Sequence, residues 1–245
     1  MQNGPQQAAF ELEFCVPSEC ARRVESGQAD LGIVPVAEIE RQGLEVVEGT
    51  GIACHGAVRS ILLLSKVEPR RIRSVAMDSG SRTSVRLTRI VLQERYGATP
   101  DTFESAPALD AMLARADAAL LIGDSALRVD PSATPYHCLD LGAEWYSLTG
   151  LPMVFALWSG RPDRLRLWDS AALERGFRDS LESGLAHLDE IVDREARDRS
   201  LDAGLVRDYL TRRIVFRIGA PEQEGLALFR KLSAALRSEA VSSLR

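Results

Sequence analysis

The chain has 245 residues, 45% of them hydrophobic and 27% charged with both signs interspersed. That is enough apolar content for a packed core and too balanced a charge for global disorder. A net charge of -5 sets aside nucleic acid and anionic membrane as main partners but leaves room for a local basic pocket, and 6% aromatic residues supply no platform for stacked bases. No stretch reaches the ~18 apolar residues of a membrane span, and the first residues lack a basic segment followed by an apolar one. The expectation is a cytoplasmic protein without a secretion signal.

In chain order, the first pattern is an amphipathic helix from Ala21, a short break at Ala29-Asp30, the apolar strand Leu31-Gly32-Ile33-Val34-Pro35 and a second helix from Val36. Ile61-Leu62-Leu63-Leu64-Ser65 reads as a buried strand, and Val75-Ala76-Met77 as another leading into a polar loop. A helix is predicted over residues 85–96, with Leu87, Ile90, Val91 and Tyr96 near one face. The opening pattern then returns: a helix from Leu109, a break at Ala116-Asp117, the strand Ala118-Ala119-Leu120-Leu121-Ile122, and a helix beginning near Ser125. Two such units predict two α/β lobes. Met153-Val154-Phe155-Ala156-Leu157 is a further apolar run, and the segment from about residue 170 reads as two or three helices broken near Gly219-Ala220-Pro221.

Cys15, Cys20, Cys54 and Cys138 include no Cys-x-x-Cys pair, and His55, His137 and His187 do not cluster. No metal site is expected, and the cysteines read as free thiols in a reducing compartment. The most informative segment is Asp78-Ser79-Gly80-Ser81-Arg82-Thr83-Ser84, between a predicted strand and a predicted helix. Small residues let backbone amides approach a ligand, and a helix start favours a carboxylate or phosphate. Arg82 adds a charged fork. A plain helix cap with a surface arginine fits the same residues. The spacing is not that of a nucleotide-binding Gly-rich loop. Ser60 precedes the Ile61 strand and offers a hydroxyl to an anion, or is simply a turn residue. Gly123 and Asp124 follow a strand end, where α/β proteins place ligands, or Asp124 caps the next helix. Thr149 and Gly150 precede Leu151-Pro152 in a turn pattern, and Trp145 and Trp158 either line a pocket or fill the core.

Several of these segments together resemble the chorismate dehydratases of the futalosine route to menaquinone. They are Pro17-Ser18-Glu19-Cys20-Ala21, Ala29 to Pro35, Gly56-Ala57-Val58-Arg59-Ser60, Asp78 to Ser84 and Leu121-Ile122-Gly123-Asp124-Ser125-Ala126-Leu127. Asp140-Leu141-Gly142-Ala143-Glu144-Trp145 and Thr149 to Trp158 continue the match, with a weaker echo in Glu224 to Phe229. The sister 1,4-dihydroxy-6-naphthoate synthase shares the fold with a different central loop and ranks second. A solute-binding protein for a small carboxylate is the non-catalytic alternative.

The resemblance implies an α/β fold of the two-lobed type II periplasmic-binding-protein class with a ligand cleft between the lobes. The expected division is 1–68 with 159–245 as lobe one and 69–158 as lobe two, the chain crossing near Ile61–Ser65 and Met153–Trp158. It also implies loss of water from chorismate to give 3-[(1-carboxyvinyl)oxy]benzoate, with chorismate as the small-molecule partner and no metal or organic cofactor. Ser60, Thr83 and Ser84, with the backbone at Ser81, are expected to hold one carboxylate, and Arg82 to supply positive potential or brace the loop. Gly123 and Asp124 are expected to line the opposite wall, and Thr149 and Gly150 to lie where the chain crosses back. Relatives carry a cleft-facing Asn in a Ser-Tyr-Leu-Asn strand, a motif this sequence does not display. Asn3, in a Gly-Pro turn context, is no obvious substitute, so no catalytic residue is assigned.

Overall fold

The computed structural model describes residue 6, residues 9–78 and residues 80–242, with side chains as far as residue 236. Pro17 starts α1 (Pro17–Ser26), which ends on Gly27 in the left-handed conformation. There follow β1 (Leu31–Pro35), α2 (Val36–Gln42), the long β2 (Glu45–Cys54) and the fully buried β3 (Ile61–Ser65). Next come β4 (Ser74–Asp78), α3 (Arg82–Tyr96), β5 (Asp101–Ser105), α4 (Leu109–Leu113), β6 (Ala118–Ile122) and α5 (Asp124–Leu127). The chain continues through β7 (His137–Asp140), α6 (Leu141–Thr149), β8 (Met153–Gly160), α7 (Pro162–Leu165), α8 (Ser170–Ala186), α9 (Leu188–Arg199) and α10 (Ala203–Asp208). A single π turn (Tyr209–Arg213) leads to β9 (Val215–Arg217) and α11 (Ala220–Ser242).

Two compact units result. The first holds residues 1–53 and 155–219, the second residues 54–154 and 220–245. The boundaries differ from those expected from sequence for two physical reasons. Ile61–Ser65 does not cross between units; both of its edges are paired inside the second sheet, to β6 and β7. The helical C-terminal region is divided, with α8 to α10 in the first unit and α11 in the second, where Phe229 meets Trp145 edge-to-face at 6.1 Å.

The first unit is built on a four-stranded sheet of order β1-β8-β2-β9, with β1 antiparallel to β8. Its core joins Val47, Leu173 and Phe177, with Trp158 stacked on Phe177 at 4.4 Å. The second unit carries a five-stranded sheet of order β5-β4-β6-β3-β7. Alternation along the strands sends Leu62, Leu64, Ala76, Ala119 and Leu121 to one face, where Met112, Leu113 and Ala126 cover them. Trp145 is fully buried and donates its indole N–H to the Pro152 carbonyl at 3.1 Å. Trp145 is thus a core residue, and Trp158 is a partly buried one packed against the core of the first unit.

Candidate anion site at one edge of the second sheet

The order of the second sheet brings most of the sequence candidates to a single edge. β4 runs parallel to β6, and β3 runs antiparallel to β6 and β7. The C-terminal ends of β4, β6 and β7 therefore meet the N-terminal end of β3. Asp78, Ile122 and Asp140 end three of these strands, and Ser60 precedes the fourth. Ile61 lies opposite Ile122, and one residue further out the Gly123 N–H donates to the Ser60 carbonyl at 2.8 Å. Gly123 has φ 63° and ψ -135°, a conformation essentially reserved for glycine, and it turns the chain from β6 into α5. Gly123 thus occupies the cap position and Asp124 the first helical position of α5, so the alternative in which Asp124 caps that helix is not realised.

The loop after β4 launches α3. Ser81 is its N-cap, and its hydroxyl accepts from the Ser84 N–H at 3.4 Å. Arg82 is exposed, whereas Ser81, Thr83 and Ser84 are buried. Thr83 is 0% and Ser84 1% exposed. The Ser84 hydroxyl, in the first turn of a 15-residue helix, finds no hydrogen-bond partner among the described residues. Leaving a buried hydroxyl unpaired costs about 1–3 kcal/mol. The hydroxyl lies beside the positive end of the helix. Ser79 lies outside the described residues.

Asp78 shapes this loop. Its carboxylate accepts from the Gly80 N–H at 2.9 Å, which closes the turn after β4. Burial raises its pKa, and the nearby backbone N–H groups of Gly80 and Ile122 oppose the rise. Asp78 is 9% exposed, so desolvation is the physical cause. From sequence Asp78 is one residue of the loop with no role of its own.

Asp140 and Arg59 were also missed. The Asp140 carboxylate accepts from the backbone N–H groups of Val58 at 2.9 Å, Arg59 at 2.6 Å, Gly142 at 3.0 Å and Ala143 at 3.1 Å. It therefore caps α6 and fixes the segment that leads to Ser60. The fit leaves no room at Gly142, where an added Cβ would stand 2.5 Å from the Gly56 carbonyl. Arg59 adopts a left-handed φ of 70°, and its guanidinium donates to the carbonyls of Ala126, Leu127 and Val129 at the end of α5. Asp-Leu-Gly at a strand end was the available signal for the cap; nothing local announced the contacts with residues about 80 positions earlier. The same separation concealed His55, whose Nε2 lies 2.6 Å from Glu222 Oε1 in the first turn of α11.

Thr149 and Gly150 stand apart from this cluster. The Thr149 hydroxyl donates to the Trp145 carbonyl at 2.8 Å and accepts from the Leu151 N–H at 3.1 Å, and Gly150 ends α6 in the left-handed conformation. They lie a nine-residue helix away from Asp140, on the order of 12 Å along its axis. Their observed work is to terminate α6.

A family model described as menaquinone biosynthesis matches residues 3–235. A chorismate dehydratase from Thermus thermophilus is 29% identical over 237 residues, spanning 90% of this chain and 85% of that protein. A chorismate dehydratase from Campylobacter jejuni is 27% identical over 177 residues, 71% of this chain and 75% of its own. Among solved structures, AF1704 from Archaeoglobus fulgidus superposes with a TM-score of 0.67 at 14% identity, covering 92% of this chain and 86% of that one. The periplasmic aliphatic sulphonate binding protein SsuA of Escherichia coli superposes with a TM-score of 0.60 at 16% identity, covering 94% and 81%. The fold is thus that of the type II periplasmic-binding-protein class. Among the described residues, no helix is long and apolar enough to cross a membrane.

Proposed function

We propose, because the chain belongs to the menaquinone biosynthesis family, that it is a chorismate dehydratase and that the β4–α3 loop holds a substrate carboxylate. The observation that carries this reading is the buried, unpartnered Ser84 hydroxyl in the first turn of α3. Thr83 beside it is equally buried, and Arg82 adds positive charge at the same helix start. Ser60 and Gly123, joined through their backbones, form the neighbouring rim, with Asp124 next to them.

The reaction removes water from chorismate. A ring proton beside the enolpyruvyl ether and the neighbouring hydroxyl leave together, giving 3-[(1-carboxyvinyl)oxy]benzoate and water. Aromatisation supplies the driving force, so the protein's task is to fix a dianion and to favour departure of hydroxide. The donors around α3 suit the first part of that task. We place the product in the futalosine route to menaquinone, in keeping with the family's description. The test is incubation of the purified chain with chorismate, following loss of substrate and gain of a product lighter by one water. Product formation that falls in the Ser84→Ala and Thr83→Val variants supports the reading. Binding without turnover would make the chain a carboxylate-binding protein, and absence of binding would remove the site altogether.

A further inference from the structure

Two thiols meet in the first unit, away from this site. Cys15 is exposed and Cys20 is partly buried, and the two side chains stand near each other at the start of α1. The start of α1 explains the meeting. Val16 is the N-cap, with φ -67° and ψ 153°, and Pro17 is the first helical residue. Cys15 therefore precedes the cap, and Cys20 is the fourth residue of the helix. These are the two positions whose side chains pack together in a hydrophobic staple, the contact that sets the path of a chain into a helix. The turn between them is closed by the Cys20 N–H, which donates to the Val16 carbonyl at 3.0 Å.

Cys20 is also confined from the opposite side. A Cβ added at Gly32 would stand 2.4 Å from its Sγ. Burial first, and the adjacent Cys15 second, push the Cys20 thiol up to about 11. The exposed thiol thus meets a solution oxidant first, and the shielded one waits beside it.

We propose that Cys15 and Cys20 form a reversible disulfide across the first turn of α1, with a small-molecule disulfide of the glutathione class as oxidant. The Cys15 thiolate attacks one sulfur of the oxidant, whose S–S bond breaks to release one small thiolate and leave a mixed disulfide on Cys15. Cys20 then loses its proton and attacks the Cys15 sulfur, expelling the second small thiolate. Two protein thiols lose two hydrogens, and the small disulfide becomes two small thiols. The cross-link ties the extended segment before the helix to α1, the helix that packs on β1.

The test uses the full chain equilibrated in oxidised and reduced glutathione, quenched in acid, alkylated and digested with trypsin. The first arginine is Arg22 and no lysine precedes it, so one peptide carries both cysteines. In oxidising buffer that peptide should be unalkylated and lighter by two hydrogens than its reduced form, while Cys54 and Cys138 remain alkylated. The Cys20→Ser variant should stop at a glutathione adduct on Cys15, and Cys15→Ser should leave Cys20 largely unreacted. Full alkylation of both cysteines in the most oxidising buffer would overturn the proposal. So would a wild-type chain that stops at the mixed disulfide, or one that pairs either thiol with Cys54 or Cys138.

Discussion

The Gly123 N–H and the Ser60 carbonyl, 63 positions apart in sequence, share a 2.8 Å hydrogen bond just beyond the last paired residues of β6 and β3. That bond holds only if the chain turns sharply at Gly123, where φ is 63° and ψ -135°. Nothing lies within 4 Å of an added Cβ there, so Gly123→Ala tests backbone strain without a clash. It should destabilise the chain by roughly 1–3 kcal/mol, read as a lower urea midpoint. An unchanged midpoint would show that the turn relaxes into an ordinary conformation.

Thr83 is fully buried in the first turn of α3. Replacing its hydroxyl with a methyl group in Thr83→Val should weaken chorismate binding by roughly 1–3 kcal/mol, the scale of a hydrogen bond to a charged group. Calorimetry reads this directly, and unchanged affinity would count against the carboxylate site.

Asp140→Ala removes the acceptor of four backbone N–H groups, two before Ser60 and two in the first turn of α6. The loss of a helix cap together with the unpaired N–H groups should cost about 2–4 kcal/mol, measured by chemical denaturation. Asp140→Asn, which keeps one acceptor oxygen, should recover part of the loss. If the two variants were equally stable, the four bonds would not be what holds the segment.

Asp78 has a pKa raised by burial. A carboxyl whose folded pKa lies above its unfolded one favours the folded state most below the unfolded pKa, and that contribution is lost as pH rises through the folded value. Asp78→Asn keeps an acceptor for the Gly80 N–H and removes the buried charge. The variant should therefore gain stability relative to the unsubstituted chain at neutral pH, and the gain should vanish as pH falls below the ordinary carboxylate range. A difference that grows in acid would reverse the assigned sign.

Much of the second unit was readable from residue order. The runs 61–65 and 118–122 are short, apolar and bounded by turn residues, so they read as buried strands, and both are. The helix expected from residue 85 starts three residues earlier, at Arg82, because Ser81 caps it; the apolar period begins only at Val85. Ser60, Gly123 and the Ser81–Ser84 turn were singled out from local chemistry, and sheet order brings them to one edge. Two kinds of information were not local. Asp140 acts through N–H groups about 80 residues earlier, and the placement of α11 depends on where Phe229 finds Trp145. Thr149-Gly150 shows the converse: a strong turn pattern whose polar atoms are spent on ending a helix.

On the proposed reading, the Ser84 hydroxyl, buried and unpartnered among the described residues, is kept for a ligand. Ser84→Ala separates the two sides of that claim, because it relieves an unpaired buried hydroxyl in the free chain and removes a donor from the complex. The measurement is chorismate affinity by calorimetry beside the thermal midpoint of the ligand-free protein. The account predicts a midpoint unchanged or raised, with affinity weakened about tenfold or more. A lowered midpoint with undiminished affinity would contradict it, and would make Ser84 a structural residue of α3.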